Sequence, residues 1–229
     1  IGSLPERRLE ITVGKVAANA VMAGCLPDYF PVVLAATDAM LDPAFNLIGP
    51  SSSQGSAAVL VVVNGPIVQQ LDINCRNNVF GPGNRANATI GRAMRLILMN
   101  VCASTPGLFD RSIMGEPGKY TYCIAENETE THWDPLHVER GFSRDQSAVT
   151  VFASWGPRQV WSANYPQAVL DSAADTASSL GTSLCTADSV GDTSKEVRQG
   201  QVVFVIAGSS EVWSDWTKKD IREYLYPRI

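Results

Sequence analysis

The sequence has no apolar run long enough to cross a bilayer, which takes roughly 20 residues. The longest, such as Ala57 to Val63 and Leu96 to Met99, are far shorter. No basic cluster is present either. The formal net charge is −5, the sequence pI is about 5.1, and the lysines and arginines are scattered, which argues against nucleic acid as a partner. Five cysteines (Cys25, Cys75, Cys102, Cys123 and Cys185) lie far apart with no CxxC pair. Their odd number leaves at least one thiol free in a monomer, a pattern that suits a reducing cytoplasm. The start, Ile1-Gly2-Ser3-Leu4-Pro5, lacks both an initiator Met and the basic-apolar-small order of a secretory signal. A chain that is processed, trimmed or part of something longer is expected.

What is present is a chain of 229 residues, 45% hydrophobic, enough for one substantial core. Val13, Val16, Ala17, Ala20 and Val21 fall on one helical face, so Val13 to Gly24 is expected to be a helix. Tyr29 to Leu41 reads as a second, with Pro31 in its first turn, where a missing N–H costs little. The two are expected to form an N-terminal helical hairpin, followed by a Gly/Ser/Pro loop over Asn46 to Ala57. Four β-rich runs come next: Ala58 to Val63, Tyr120 to Ala125, Ala148 to Ala153 and Val202 to Ala207. Each is continuously apolar, as in strands buried on both faces.

Helical patterns at Arg85 to Cys102, Pro166 to Leu180 and Ser214 to Leu225 interleave with them. The expected fold class is α/β: a layered sheet of about four mostly parallel strands with flanking helices. It forms a single domain over 1–229, with a hairpin at 1–45 packing on a core at 58–229. Ser183 to Gln199 reads as a polar excursion.

Ligands of open parallel sheets sit beyond the carboxyl ends of strands. Here those ends carry Asn64-Gly65-Pro66, Glu126-Asn127-Glu128, Ser154-Trp155-Gly156 and Gly208-Ser209-Ser210. The strongest local pattern is Gly81-Pro82-Gly83-Asn84-Arg85, a glycine turn running straight into a helix. Free N–H groups at that helix start, with Arg85 and Arg92 on nearly one face, suit a small carboxylate or phosphate. The candidate binding residues are Gly81, Gly83, Asn84, Arg85, Asn87, Arg92 and Asn64. The loop lacks the Gly-Lys-Ser/Thr of a nucleotide loop.

The only two histidines, His132 and His137, lie close to Asp134 and Glu139. These four are a candidate divalent-metal set, although Pro135 interrupts the helix that would align them. No cofactor is required by the sequence. His137 and Glu126 are candidate acid/base groups. Cys25 and Cys75 are candidate nucleophiles, Cys75 with Arg76 beside it. Asn19 and Asn100, in otherwise apolar helices, must either orient a ligand or bridge helices.

Several blocks together resemble bacterial proteins associated with the UGSC family, named for a selenocysteine (or cysteine)-Gly-Ser-Cys motif. They are Lys15 to Cys25, Phe80 to Arg95, Ala125-Glu126-Asn127-Glu128, Pro135 to Phe142 and Trp216 to Arg222. The resemblance implies thiol or selenol chemistry. This chain contains no Gly-Ser-Cys, so the resemblance implies that a partner chain or flanking segment supplies the reactive group while this domain holds the substrate. The expected function is a subunit of a bacterial enzyme that binds a small anion, in a hetero-oligomer or homo-oligomer. A non-catalytic scaffold subunit and a metal-assisted hydrolase are the alternatives.

Overall fold

A computed structural model describes residues 1–161, 165–179, 202–207 and 210–229. The chain divides into two compact units, 1–129 with 134–157, and 130–133 with 158–229. The Ser183 to Gln199 excursion, Cys185 and the Gly208-Ser209 turn lie outside the described residues.

The first unit opens with an antiparallel hairpin of β1 (Gly2–Leu4) and β2 (Leu9–Ile11), which the sequence reading did not foresee. Helix α1 (Val13–Ala23) starts at Thr12, whose side chain accepts from Lys15 N, and stops at Gly24, whose φ of 87° is the left-handed stop that glycine adopts freely. Helix α2 (Phe30–Leu41) begins after Tyr29, with Pro31 in its first turn as expected. The following loop contains a short helix, α3 (Ile48–Ser52), where continuous loop was expected.

Strand β3 (Ala58–Asn64) is the centre of the sheet, and all seven of its residues are buried. Each fully buried valine there is worth about 1.5–3 kcal/mol relative to exposure. After the single turn of α4 (Ile67–Gln70) and the glycine loop comes α5 (Arg85–Asn100). Its inner face, Ile90, Ala93, Met94 and Ile97, fills the core between α1, α2 and the sheet. Gly91 permits this packing, because a Cβ there would collide with Thr121 and the Tyr122 backbone. Asn100 Nδ2 donates to Asn19 Oδ1 at 2.7 Å, so these two asparagines bridge α5 to α1.

The sheet is completed by β4 (Cys123–Ala125) and β5 (Ala148–Ser154), in the order β4-β3-β5. β4 runs parallel to β3, and β5 runs antiparallel to it. The expected α/β class is therefore present, but the sheet has three strands rather than about four, and one of its two pairings is antiparallel where mostly parallel strands were expected. As an edge strand, β5 is only half-buried, against the expectation of burial on both faces. Between β4 and β5 lies the single turn α6 (Leu136–Glu139).

In the second unit, α7 (Pro166–Ser178) and α8 (Lys218–Leu225) pack through Leu170, Ala174, Trp213, Ile221 and Leu225. A reciprocal cap between Thr217 and Asp220 starts α8. The expected strand at Val202 to Ala207 is not a strand. Phe204 and Ile206 of that run instead pack against the helical cluster, so its apolar character serves burial rather than sheet pairing.

Candidate functional site

The parallel register of β3 and β4 sets Val63 against Ala125. The ladder runs one bond further, with Glu126 N donating to the Val63 carbonyl at 3.1 Å. Asn64 and Glu126 are thereby brought together at the carboxyl ends of two neighbouring strands. Glu128, two residues on, returns to the same side. One Asn64 amide nitrogen donates to both carboxylates, at 2.6 Å to Glu126 Oε2 and 2.8 Å to Glu128 Oε1. Gly65 N donates to Glu128 Oε1 at 2.7 Å, and Leu136 N, at the start of α6, donates to Glu126 Oε2 at 2.8 Å.

Gly65 is required here by shape. Its φ is +85°, and a Cβ would strike the Gln146 carbonyl and Ser147 just ahead of β5. The antiparallel β5 thus brings its beginning, not its end, to this rim. Ser154 and Trp155 lie at the opposite end of the sheet, where a parallel strand would have placed them beside Asn64.

His137 completes the cluster from α6. Its side chain is 0% exposed, and its Nδ1 lies 3.7 Å from Glu128 Oε1. Neither ring nitrogen has a hydrogen-bond partner, and Asn64 Oδ1, equally buried, has none. Buried polar atoms are nearly always paired, so three unpaired ones around one carboxylate set this place apart. Of the expected residues, Asn64, Glu126 and His137 meet here. Glu128 was not foreseen as a site residue, although its spacing of two from Glu126 beyond a strand end was visible in the sequence.

The glycine loop is a different object. Asn84 Oδ1 accepts from Asn87 N at 3.0 Å, and Asn84 Nδ2 donates to the Asp72 carbonyl at 2.6 Å. Arg85 sets Nε and Nη2 on the Gly24 carbonyl, at 3.2 and 3.0 Å, and so caps the end of α1. Asn87 is buried, accepting from Asn74 N and donating to the Asn74 and Cys123 carbonyls. Gly81 N donates to the Asn78 carbonyl, and Gly83 takes a φ of +119°. The loop is stitched to its own chain by most of the groups expected to hold an anion. Arg92, half-buried on α5, has no such bond among the described residues.

The candidate metal residues disperse. His132 is exposed, with Nε2 3.3 Å from the Trp216 carbonyl in the second unit. In the first unit Asp134 pairs with Arg144 on the surface, and Glu139 is exposed while His137 is buried. Among the described residues no three His, Cys, Asp or Glu side chains are grouped to hold a metal ion.

Burial disfavours the thiolate at three of the described cysteines. Burial pushes Cys25 up, opposed by a hydrogen bond with Thr89 and the nearby Arg85 charge. Burial lifts Cys102 to about 11 and raises Cys123 as well. Cys75 is half-buried in the loop after α4 and packs against the core. Among the described residues no helix is long and apolar enough to cross a membrane. No protein-family model matches the chain, and neither a curated protein nor a solved structure is detectably similar to it.

Proposed function

We propose that this chain is an enzyme, or an enzyme subunit, that transfers protons to and from a small molecule at the carboxyl ends of β3 and β4. In this reading His137 is the acid/base group. Glu128 holds the imidazole with a proton on Nδ1, leaving Nε2 to act on the ligand, and Asn64 fixes Glu128 and Glu126 in place. The observation that carries it is His137 itself: a fully buried imidazole beside a carboxylate, with neither nitrogen committed to the protein. A 3.7 Å separation is longer than a hydrogen bond. Such pairs are often loose without ligand and tighten when it binds.

Substrate binding at the Gly81 to Arg85 turn has less support, because Asn84 and Arg85 already serve the chain's own backbone. A thiol nucleophile at Cys25 also has less support, since burial disfavours its thiolate. Thiol chemistry supplied by a partner chain remains compatible with a proton-transfer site here.

The test works without an identified substrate. Protein purified with any partner it retains is incubated with a small-molecule extract of its host in D2O, and mass spectrometry follows deuterium incorporation and consumption. Some compound should change with wild-type protein and with His132→Gln but not with His137→Gln. If wild-type protein changes nothing that the His137 variant leaves alone, the reading fails.

A further inference from the structure

At the opposite end of β3 from the strand-end cluster, a cavity and uncommitted hydrogen-bond donors occur together. A cleft lies between α3, α5 and the start of β3, with apolar walls from Leu47, Pro50, Val59, Met94 and Leu98 and with Arg95 and Lys119 in its lining. It is partly open to solvent, with a free volume of about 20 Å³. About 10–15 Å³ suffices for one water molecule, so the cleft admits a group of a few atoms. Ala58, also in the lining, begins β3 and Asn64 ends it. At about 3.3 Å per residue the two lie about 20 Å apart, too far for one small ligand to touch both places.

The two cations are committed differently. Lys119 gives its ammonium hydrogens to Asp110 Oδ1 at 2.8 Å, to Asp110 Oδ2 at 2.9 Å and to Ser112 Oγ, so it brings charge but no free donor. The Arg95 side chain is only 10% exposed, and among the described residues one acceptor alone takes any of its N–H groups: Asp110 Oδ2, 2.9 Å from Nη2. Whichever Nη2 hydrogen Asp110 takes, one two-pronged edge of the guanidinium is left over. Asp110 is satisfied by this arrangement, and Arg95 is not. Two cations also share one carboxylate, which leaves one positive charge unanswered. Glu116, which lies in the field of Lys119, turns to the Gly118 N–H at 2.8 Å and does not line the cleft.

Water in the cleft accepts a hydrogen bond but carries no charge, and a buried guanidinium is costly unless its charge and its donors are both met. A phosphate brings four oxygens and up to two charges to walls that are mostly apolar. A carboxylate is smaller, carries one charge and matches the planar edge of a guanidinium with two parallel hydrogen bonds. We infer that this cleft is a second binding site, which takes the carboxylate group of a small organic acid on Arg95, with the acid's apolar stem against the aliphatic walls. The site is independent of the acid/base reading of His137.

The experiment is an NMR titration of the full chain labelled at its methionine methyl groups, with Met94 assigned by comparison with Met94→Leu. The probe is sodium propionate, and propionamide, which has the same shape without the charge, is the control at constant ionic strength. Propionate should shift the Met94 methyl saturably and leave Met114, which is 92% exposed, unmoved. The imidazole signals of His137, assigned by comparison with His137→Gln, should also stay in place. Propionamide should shift none of them. Arg95→Gln should weaken the Met94 response about tenfold or more, the scale of a charge-assisted hydrogen bond. No saturable shift at Met94, an equal response to propionamide or to inorganic phosphate, or a folded Arg95→Gln protein that binds as wild type does would each overturn the inference. The comparison of propionate with propionamide on wild-type protein decides the matter even if Arg95→Gln fails to fold. Because His137→Gln should bind propionate as wild type does, loss of the deuterium exchange and loss of this site are read separately.

Discussion

Two carboxylate clusters in the first unit, one buried and one half-buried, are built from similar parts and finished differently. Asp110, whose side chain is 4% exposed, receives Lys119 at 2.8 and 2.9 Å, Arg95 at 2.9 Å and Ser112 at 2.7 Å. Its charge is fully answered from within the chain. Glu126 and Glu128 receive amide N–H donors, and an asparagine oxygen and a histidine ring stand unpaired beside them. A closed cluster stabilises the fold it belongs to. An open one carries a desolvation cost that folding alone does not repay, which is what a site for something else looks like.

Variants can separate the two. The largest expected effect is on rate: His137→Gln should slow the deuterium exchange by about 10²–10⁴-fold, the usual worth of a positioned acid/base group. It should change unfolding free energy by no more than ~1 kcal/mol, measured in urea. Asp110→Asn should show the opposite pattern, costing about 3 kcal/mol because Lys119 and Arg95 lose their partner, with the His137 spectrum unchanged.

Acid sharpens that contrast. Burial alone would raise Asp110, but the hydrogen bonds from Lys119 and Ser112 overcome it and hold the carboxyl at about 2. A carboxyl depressed on folding stabilises fully above its unfolded value, near pH 4, and loses that contribution as pH falls toward 2. Urea midpoints of wild type should therefore fall across that window more steeply than those of Asp110→Asn.

Smaller effects follow. Gly65→Ala should cost about 2 kcal/mol through its clash with Gln146, and should shift the His137 signals as Gly65 N moves away from Glu128. Arg85→Ala should cost ~1 kcal/mol by uncapping α1, with exchange unaffected. A folded Arg85→Ala protein that had lost exchange would return substrate binding to the glycine loop.

The sequence disclosed the elements better than their assembly. Apolar runs and the helix end at Gly24 mark elements locally, and α1, α2, β3 and α5 stand where they were expected. The direction of β5 is not written in its own residues, because Ala-Val-Thr-Val-Phe-Ala reads the same in either sense. Val202 to Ala207 has strand composition, but its apolar residues join a helical cluster instead. For the site, Asn64, Glu126 and His137 were legible as polar residues after strands and as a scarce imidazole. Arg85 was harder to read, because a guanidinium at a helix start looks the same in sequence whether it meets a ligand or a carbonyl 61 residues earlier, such as that of Gly24.

The bonds from Asn64 and Gly65 to the two carboxylates join residues 62 to 64 positions apart, and Gly65 further abuts Gln146 beyond them. Local helices such as α1 need none of those contacts. On a ribosome the N-terminal helices can form while Asn64 still has no neighbours, and its surroundings are complete only after the segment through β5 has emerged and docked. Such long-separation contacts are slow to close. The proposed centre is therefore among the last features of the first unit to come into being, and a nascent chain stopped before Ala148 would hold helices but not the assembled cluster.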